Sequence, residues 1–155
     1  MKNRKPIYGG IGSVSSATMR TEDLIPSFLW EADLLRLTKD ERKAIRGIQS
    51  RVDRAGSDDA YWQDEVSSFD LEELFDILGA HSLPYFSFGA HEGDGADYGW
   101  WLSESFEDDF DGLRVSDLSE VPGGHSGEVL LVNDHGNMSL YVFSRGRRRE
   151  LWGIV

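Results

Sequence analysis

Residues 128–154 read EVLLVNDHGNMSLYVFSRGRRRELWGI and show the clearest structural pattern in the chain. The stretch contains three runs rich in β-branched and aromatic residues, at 128–132, 138–143 and 150–154. Two short segments that contain glycine separate them, NDHGN (133–137) and SRGRRR (144–149). Short strands joined by turns of this composition are typical of antiparallel hairpins. The stretch therefore predicts an antiparallel meander of three strands.

The first half of the chain carries helical patterns instead. Ser/Thr/Asp-type cap signals at Thr21, Thr38 and Asp70 each precede apolar residues that recur at intervals of three and four. We expect the second and third helices over about 39–54 and 71–79. The apolar stripes of the three helices are expected to face a common core.

Two more β-rich runs, Tyr85–Phe88 and Tyr98–Leu102, lie between the helices and the meander and flank a long glycine-rich loop, residues 89–99. Helices followed by strands favour the α+β class. We therefore predict N-terminal helices packed on a C-terminal antiparallel β-sheet (meander) of about five strands.

Length and composition favour one folded domain. The chain has 155 residues, of which 39% are hydrophobic, so it can bury one core. Residues 1–20 are basic, then rich in Gly, Ser and Thr without an apolar period, which predicts a flexible basic arm before a single domain over residues 21–155. The absence of cysteine and of any apolar run long enough for a membrane span favours the cytoplasm and no membrane contact.

Charge is the strongest indication of function. Between Asp58 and Val142 the chain holds twenty Asp and Glu residues and one basic residue, Arg114, whereas both flanks are basic overall. Such a field disfavours direct binding of nucleic acid and favours a cation, the basic surface of another protein, or a protein groove that normally holds nucleic acid. The candidate partner-binding residues are Glu104, Glu107, Asp108, Asp109 and Asp111, with Glu72, Glu73 and Asp76 on the third helix as a second patch.

A second possibility rests on two polar, glycine-containing loops, residues 89–99 and 133–137. If these loops met, they would offer ligand types suited to Zn, Mn or Fe. The residues are His91, Glu92, Asp94, Asp97, Asp134 and His135. The chain has no HExxH, Walker-type or GxSxG motif, so we predict no metal, no cofactor and no catalytic residues. A metal-dependent enzyme or binder stays open as the alternative.

The blocks FGAHEGDGADYGWW (88–101) and VNDHGNMSLYV (132–142) together resemble a set of small acidic proteins of bacteriophages and mobile elements. In that set a FGAHxGDGADxG block precedes an NDHGN hairpin. The resemblance covers about the C-terminal half of the chain and implies a phage or prophage origin, but no catalytic role.

Origin and charge together predict an accessory protein that acts in the host cytoplasm. It would bind and inhibit a host nucleic-acid-binding protein, of a defence or regulatory kind, through a polyanionic surface that mimics nucleic acid. A structural or oligomerisation protein, for example a homodimer, is a further alternative.

Overall fold

The computed structural model describes residues 4–57 and 59–155, apart from the side chain of Asp59. Residues 1–3 of the predicted arm and Asp58, the first acid of the acidic stretch, lie outside the described residues. The chain forms two compact units, one ending at Ser103 and the other comprising Glu104–Val155. The single domain predicted over residues 21–155 spans both units. Each unit has its own sheet, and the α+β class is confirmed.

The first unit contains four helices and three strands in its described part. They are β1 (Gly12–Ser15), α1 (Thr21–Asp33), α2 (Lys39–Ala55), α3 (Asp59–Gln63), α4 (Glu65–Ala80), β2 (Phe86–His91) and β3 (Asp94–Leu102). The strands form an antiparallel sheet in the order β1-β3-β2. α1 packs on α4 and on β1, and α4 also packs on β2.

The second unit is mainly a sheet. It contains α5 (Phe106–Asp109), β4 (Leu113–Val115), a single 3₁₀ turn (Leu118–Glu120), β5 (Gly127–Val132), β6 (Met138–Ser144) and β7 (Arg147–Ile154). The sheet order is β4-β5-β6-β7, with β4 parallel to β5 and the other pairs antiparallel.

The predicted meander is confirmed as β5-β6-β7, but the prediction of one sheet of about five strands was wrong. β3 pairs with β1 on one side and with β2 on the other, so these strands form a sheet of their own. Strand β1 lies within the segment predicted to be a flexible arm, residues 1–20. Its composition did not indicate a strand, because β3, the strand that forms hydrogen bonds with the backbone of β1, lies far along the chain.

Close contacts at two glycines hold this N-terminal segment against the rest of the first unit. A Cβ on Gly99 would lie 2.2 Å from the carbonyl oxygen of Gly12, so only glycine permits the observed β1-β3 pairing. A Cβ on Gly9 would lie 2.3 Å from the indole of Trp100. The amide of Gly9 donates to the carbonyl of His81 at 2.8 Å. The segment is thereby joined to both the helices and the sheet.

The core of the first unit is largely aromatic. Phe28 of α1 is fully buried, and its ring centroid lies 5.1 Å from that of Phe75 and 5.0 Å from that of Phe88. Phe88 lies 4.7 Å from Trp100, which is also buried. Edge-to-face and tilted contacts of this kind add to the stabilisation from burial. They connect α1, α4 and the sheet.

Three local predictions in the first unit were wrong. Thr21 was expected to cap the first helix, whereas it is the first residue of α1, and Arg20 at the N-cap position makes no side-chain cap hydrogen bond. The third helix was expected to begin after Asp70, whereas α4 begins at Glu65 and Asp64 caps it by accepting from the amide of Val66. The long loop predicted over residues 89–99 is instead a hairpin, whose strands extend to a turn of two residues between His91 and Asp94. Of the glycines that suggested a loop, Gly89 and Gly99 pair with each other across the strands, Gly95 lies in β3, and Gly93 lies in the turn.

Candidate functional site

The predicted acidic segment, residues 104–111, surrounds the short helix α5 of the second unit. Phe106 is 1% exposed and packs its ring 5.5 Å from that of the buried Phe110 and 5.4 Å from that of Trp152. These two phenylalanines fix the segment on the sheet. All five acids predicted here are exposed: Glu104, Glu107, Asp108, Asp109 and Asp111.

The one basic residue of the acidic stretch does not neutralise these acids. Arg114 donates to the backbone carbonyl of Glu107, and its guanidinium lies 5.5 Å from the centre of the Phe110 ring. Asp109 accepts from the hydroxyl of Ser105 at 2.6 Å. Within the described part of the chain, the other four carboxylates of the segment make neither a hydrogen bond nor an ion pair. Their charge is therefore available to a partner.

The second predicted patch lies on α4 in the first unit. Glu72, Glu73 and Asp76 are exposed on one side of this helix and line an open groove of about 410 Å³. Glu41 of α2 also lines this groove. The side chain of Phe69, which is 59% exposed, lines it as well. The groove thus combines four carboxylates with an apolar contact surface.

An ion pair with the buried carboxylate of Asp70 joins α4 to α2. The carboxylate of Asp70, 4% exposed, accepts from Nε and Nη2 of Arg51 at 2.8 and 2.7 Å and from the hydroxyl of Tyr61 at 2.7 Å. This hydrogen bond from the guanidinium to Asp70 raises the pKa of Arg51. Burial, and then the hydrogen bond to Asp70, raise the pKa of Tyr61. The three groups connect α2, α3 and α4.

A second buried polar pair orients Glu41 in the groove. Nε2 of the buried His81 lies 2.5 Å from Oε2 of Glu41, and Nδ1 lies 2.5 Å from the carbonyl oxygen of Ile7. A carbonyl can only accept, so Nδ1 carries a proton. His81 thereby holds the N-terminal segment, α2 and the end of α4 together.

The residues of the alternative loop site make turn contacts. In the hairpin of the first unit, Nδ1 of His91 accepts from the amide of Gly93 at 2.9 Å. Asp94 accepts from the amide of Ala96 at 3.0 Å, and Asp97 accepts from the hydroxyl of Ser13. Glu92 is exposed at the tip. The contacts of His91 and Asp94 are those expected of a tight hairpin, whereas the contact of Asp97 joins β3 to β1.

The turn 133–137 of the second unit has the same character. Oδ1 of Asn133 accepts from the amides of His135 and Asn137, at 2.9 and 3.0 Å. Asp134 and His135 are exposed, with 3.8 Å between a carboxylate oxygen and Nε2. Within neither unit do three described His, Asp or Glu side chains gather where they could hold one metal ion. A metal-dependent function of these loops stays a prediction.

Sequence reasoning missed the Arg51–Asp70–Tyr61 network and the His81–Glu41 pair. Asp70 was interpreted as a helix cap, and Glu41, three residues after Thr38, has the spacing of a capping box. The cap itself is present, because Thr38 accepts from the amide of Glu41 at 3.1 Å. No spacing in the chain indicates that His81 would meet Glu41, since their contact depends on how α2 and α4 pack.

None of the helices in the described residues is both long enough and apolar enough to cross a lipid bilayer. No protein-family model, curated protein or solved structure matches the chain. The resemblance to phage proteins therefore stays a prediction.

Proposed function

We propose that this protein binds the basic surface of another protein through its exposed carboxylates and blocks the nucleic-acid site of that partner. The observation that carries the proposal is the state of the acidic segment 104–111. Four of its carboxylates are exposed and make no contact within the described residues that would neutralise them. Arg114, the one cation of the stretch, is turned toward a carbonyl and a ring.

The way the segment is attached also supports binding. Phe106 and Phe110 are buried on either side of Glu107–Asp109, so the backbone that carries these three acids is fixed before a partner arrives. A surface ordered in advance loses less conformational entropy on binding than a free acidic tail would. Fixed carboxylates can therefore contact the Lys and Arg side chains of a nucleic-acid site in place of phosphates.

The groove on α4 adds a different kind of contact. Its lining combines carboxylates with the exposed ring of Phe69, which suits a basic residue whose aliphatic stem lies on the ring while its charge is met by Glu72 or Asp76. Partners with Lys or Arg on a helix would fit such a groove. We treat this groove as a second contact surface of the same function.

The host partner is proposed on charge and on the resemblance to phage proteins. A phage or mobile-element protein with a polyanionic surface can compete with nucleic acid for a defence or regulatory protein in the host cytoplasm. Because opposite charges attract at long range in low salt, binding should weaken steeply as ionic strength rises.

The test begins with affinity capture from a bacterial lysate, followed by measurement of the purified pair at several salt concentrations. The triple variant Glu107→Gln, Asp108→Asn, Asp111→Asn removes three charges from the acidic segment. Each exposed ion pair contributes about 0.2–1 kcal/mol, so the variant should bind about threefold to a hundredfold more weakly.

A matched control removes three exposed acids that belong to neither acidic surface: Asp40→Asn, Glu65→Gln and Asp134→Asn. This control should retain most of the affinity. Equal weakening in both triple variants would mean that net charge alone attracts the partner. Affinity that does not change with salt, or a partner that still binds nucleic acid in the complex, would refute the mimicry mechanism.

A further inference from the structure

A cavity of about 630 Å³ lies between the N-terminal segment, the end of α1 and the first half of α2. Its apolar lining residues, Leu35, Leu37 and Ile45, are buried or half-buried. Its basic lining residues are exposed: Arg4, Lys5, Arg36, Arg42 and Arg46. The cavity therefore has an apolar interior and a basic opening, although the protein as a whole is acidic.

Contacts with the backbone hold several of these cations in place. Nε of Arg36 donates to the carbonyl of Lys5, and Nη1 of Arg42 donates to the carbonyl of Leu37, both at 3.2 Å. A guanidinium has five N–H donors, so each keeps donors for a ligand. Lys5 lies 3.5 Å from the carboxylate of Asp33, which is the single acid in the lining.

Arg46 keeps all five of its N–H donors for a ligand. Within the part of the chain that the structure describes, its side chain makes no hydrogen bond and no ion pair. It also lines a second cavity, of about 410 Å³, together with Asp33 and Ile45, which line the first cavity as well. This second cavity includes the indole of Trp30, which is 72% exposed.

We propose that the two neighbouring cavities bind a small organic phosphate that carries a flat ring, of the nucleoside monophosphate class. The phosphate would lie among the guanidinium groups of Arg36, Arg42 and Arg46, and the ring would lie against Trp30. Guanidinium groups match the geometry of phosphate oxygens and contact them in pairs. An exposed indole offers a stacking surface to any flat ring.

The charge of the lining favours phosphate over carboxylate. The lining contains five cations and one carboxylate. A ligand carboxylate has one charge and two oxygens, which is too little to pair with so many cations. A phosphate monoester has nearly two charges and three acceptor oxygens. A long nucleic acid is a poorer occupant, because the many exposed acids of the chain would repel its further phosphates. The site is independent of the protein-binding function proposed above.

Isothermal titration calorimetry with adenosine 5′-monophosphate, adenosine and inorganic phosphate, all at one ionic strength, tests the proposal. We expect the monophosphate to bind more tightly than either fragment. The double variant Arg42→Gln, Arg46→Gln should weaken binding at least about tenfold, because two charge-assisted contacts are lost. Trp30→Ala should weaken it about fivefold or more through lost stacking.

The control variant Lys43→Gln, Arg54→Gln removes the same charge from the same helix at residues that line neither cavity. It should bind like the unaltered protein, and far-UV circular dichroism should show that all variants are folded. An equal loss in this control, or no binding at millimolar concentration, would overturn the proposal. Affinity that rises with oligonucleotide length would overturn it in favour of a nucleic-acid surface. The triple variant of the acidic segment should bind adenosine 5′-monophosphate normally, which separates this site from the protein-binding surface.

Discussion

Asp70→Asn should destabilise the first unit strongly, and more than Tyr61→Phe in the same hydrogen-bond network. Asp70 is buried and accepts three hydrogen bonds, two from Arg51 and one from Tyr61. In the variant the guanidinium loses its counter-charge. The new amide nitrogen also faces a donor, because both partners point N–H or O–H groups at this position.

The size of the effect follows from the burial of the pair. Removing one partner of a buried ion pair costs about 3–5 kcal/mol, and the side chain of Arg51 is 36% exposed, so solvent can partly replace the lost carboxylate. We therefore expect a loss of about 3 kcal/mol in the free energy of unfolding. Tyr61→Phe, which removes one hydrogen bond and leaves the ion pair, should cost about 1 kcal/mol.

Urea denaturation followed by circular dichroism at 222 nm is a suitable assay. The helices longer than one or two turns, α1, α2 and α4, all belong to the first unit, so this signal reports its unfolding. A double-mutant cycle of Asp70→Asn with Arg51→Met should show strong coupling between the two residues. A loss below about 1 kcal/mol for Asp70→Asn, or additive effects in the cycle, would refute the account of this network.

Three further outcomes follow from the structure. Gly99→Ala should destabilise the first unit by about 1–3 kcal/mol, because the new Cβ overlaps the carbonyl of Gly12, and hydrogen exchange should show that β1 loses protection first. Arg145→Asn should stabilise the second unit by up to about 1 kcal/mol in thermal unfolding, because Arg145 has a φ of 53° in a turn of two residues that is completed by Gly146. Folding raises the pKa of Tyr61 and so favours the protonated phenol, so the contribution of Tyr61 to stability should be fully present below pH about 10 and be lost above it, as urea denaturation at several alkaline pH values should show. In Tyr61→Phe this loss should be smaller.

Local patterns in the sequence were sufficient to predict the elements whose contacts are made between residues close together in the chain. The meander was visible because its strands are adjacent in the chain and are joined by short turns, so its pairing is local. The cap at Thr38 was visible because its partner, the amide of Glu41, lies three residues away. Exposure of the acids in 104–111 was likewise predictable, because unpaired carboxylates are rarely buried.

Only the tertiary structure decided the pairings between residues far apart in the chain. Asp70 has the sequence context of a helix cap, yet it is buried because Arg51 and Tyr61 reach it from two other helices. β1 forms because Gly99 lets a distant strand approach. The basic cavity combines the N-terminal segment with α2. These three features depend on packing between separate elements. The partners are brought together by burial of the apolar core and not by their spacing in the chain, so the pattern of residues along the sequence contains no signal for their contacts.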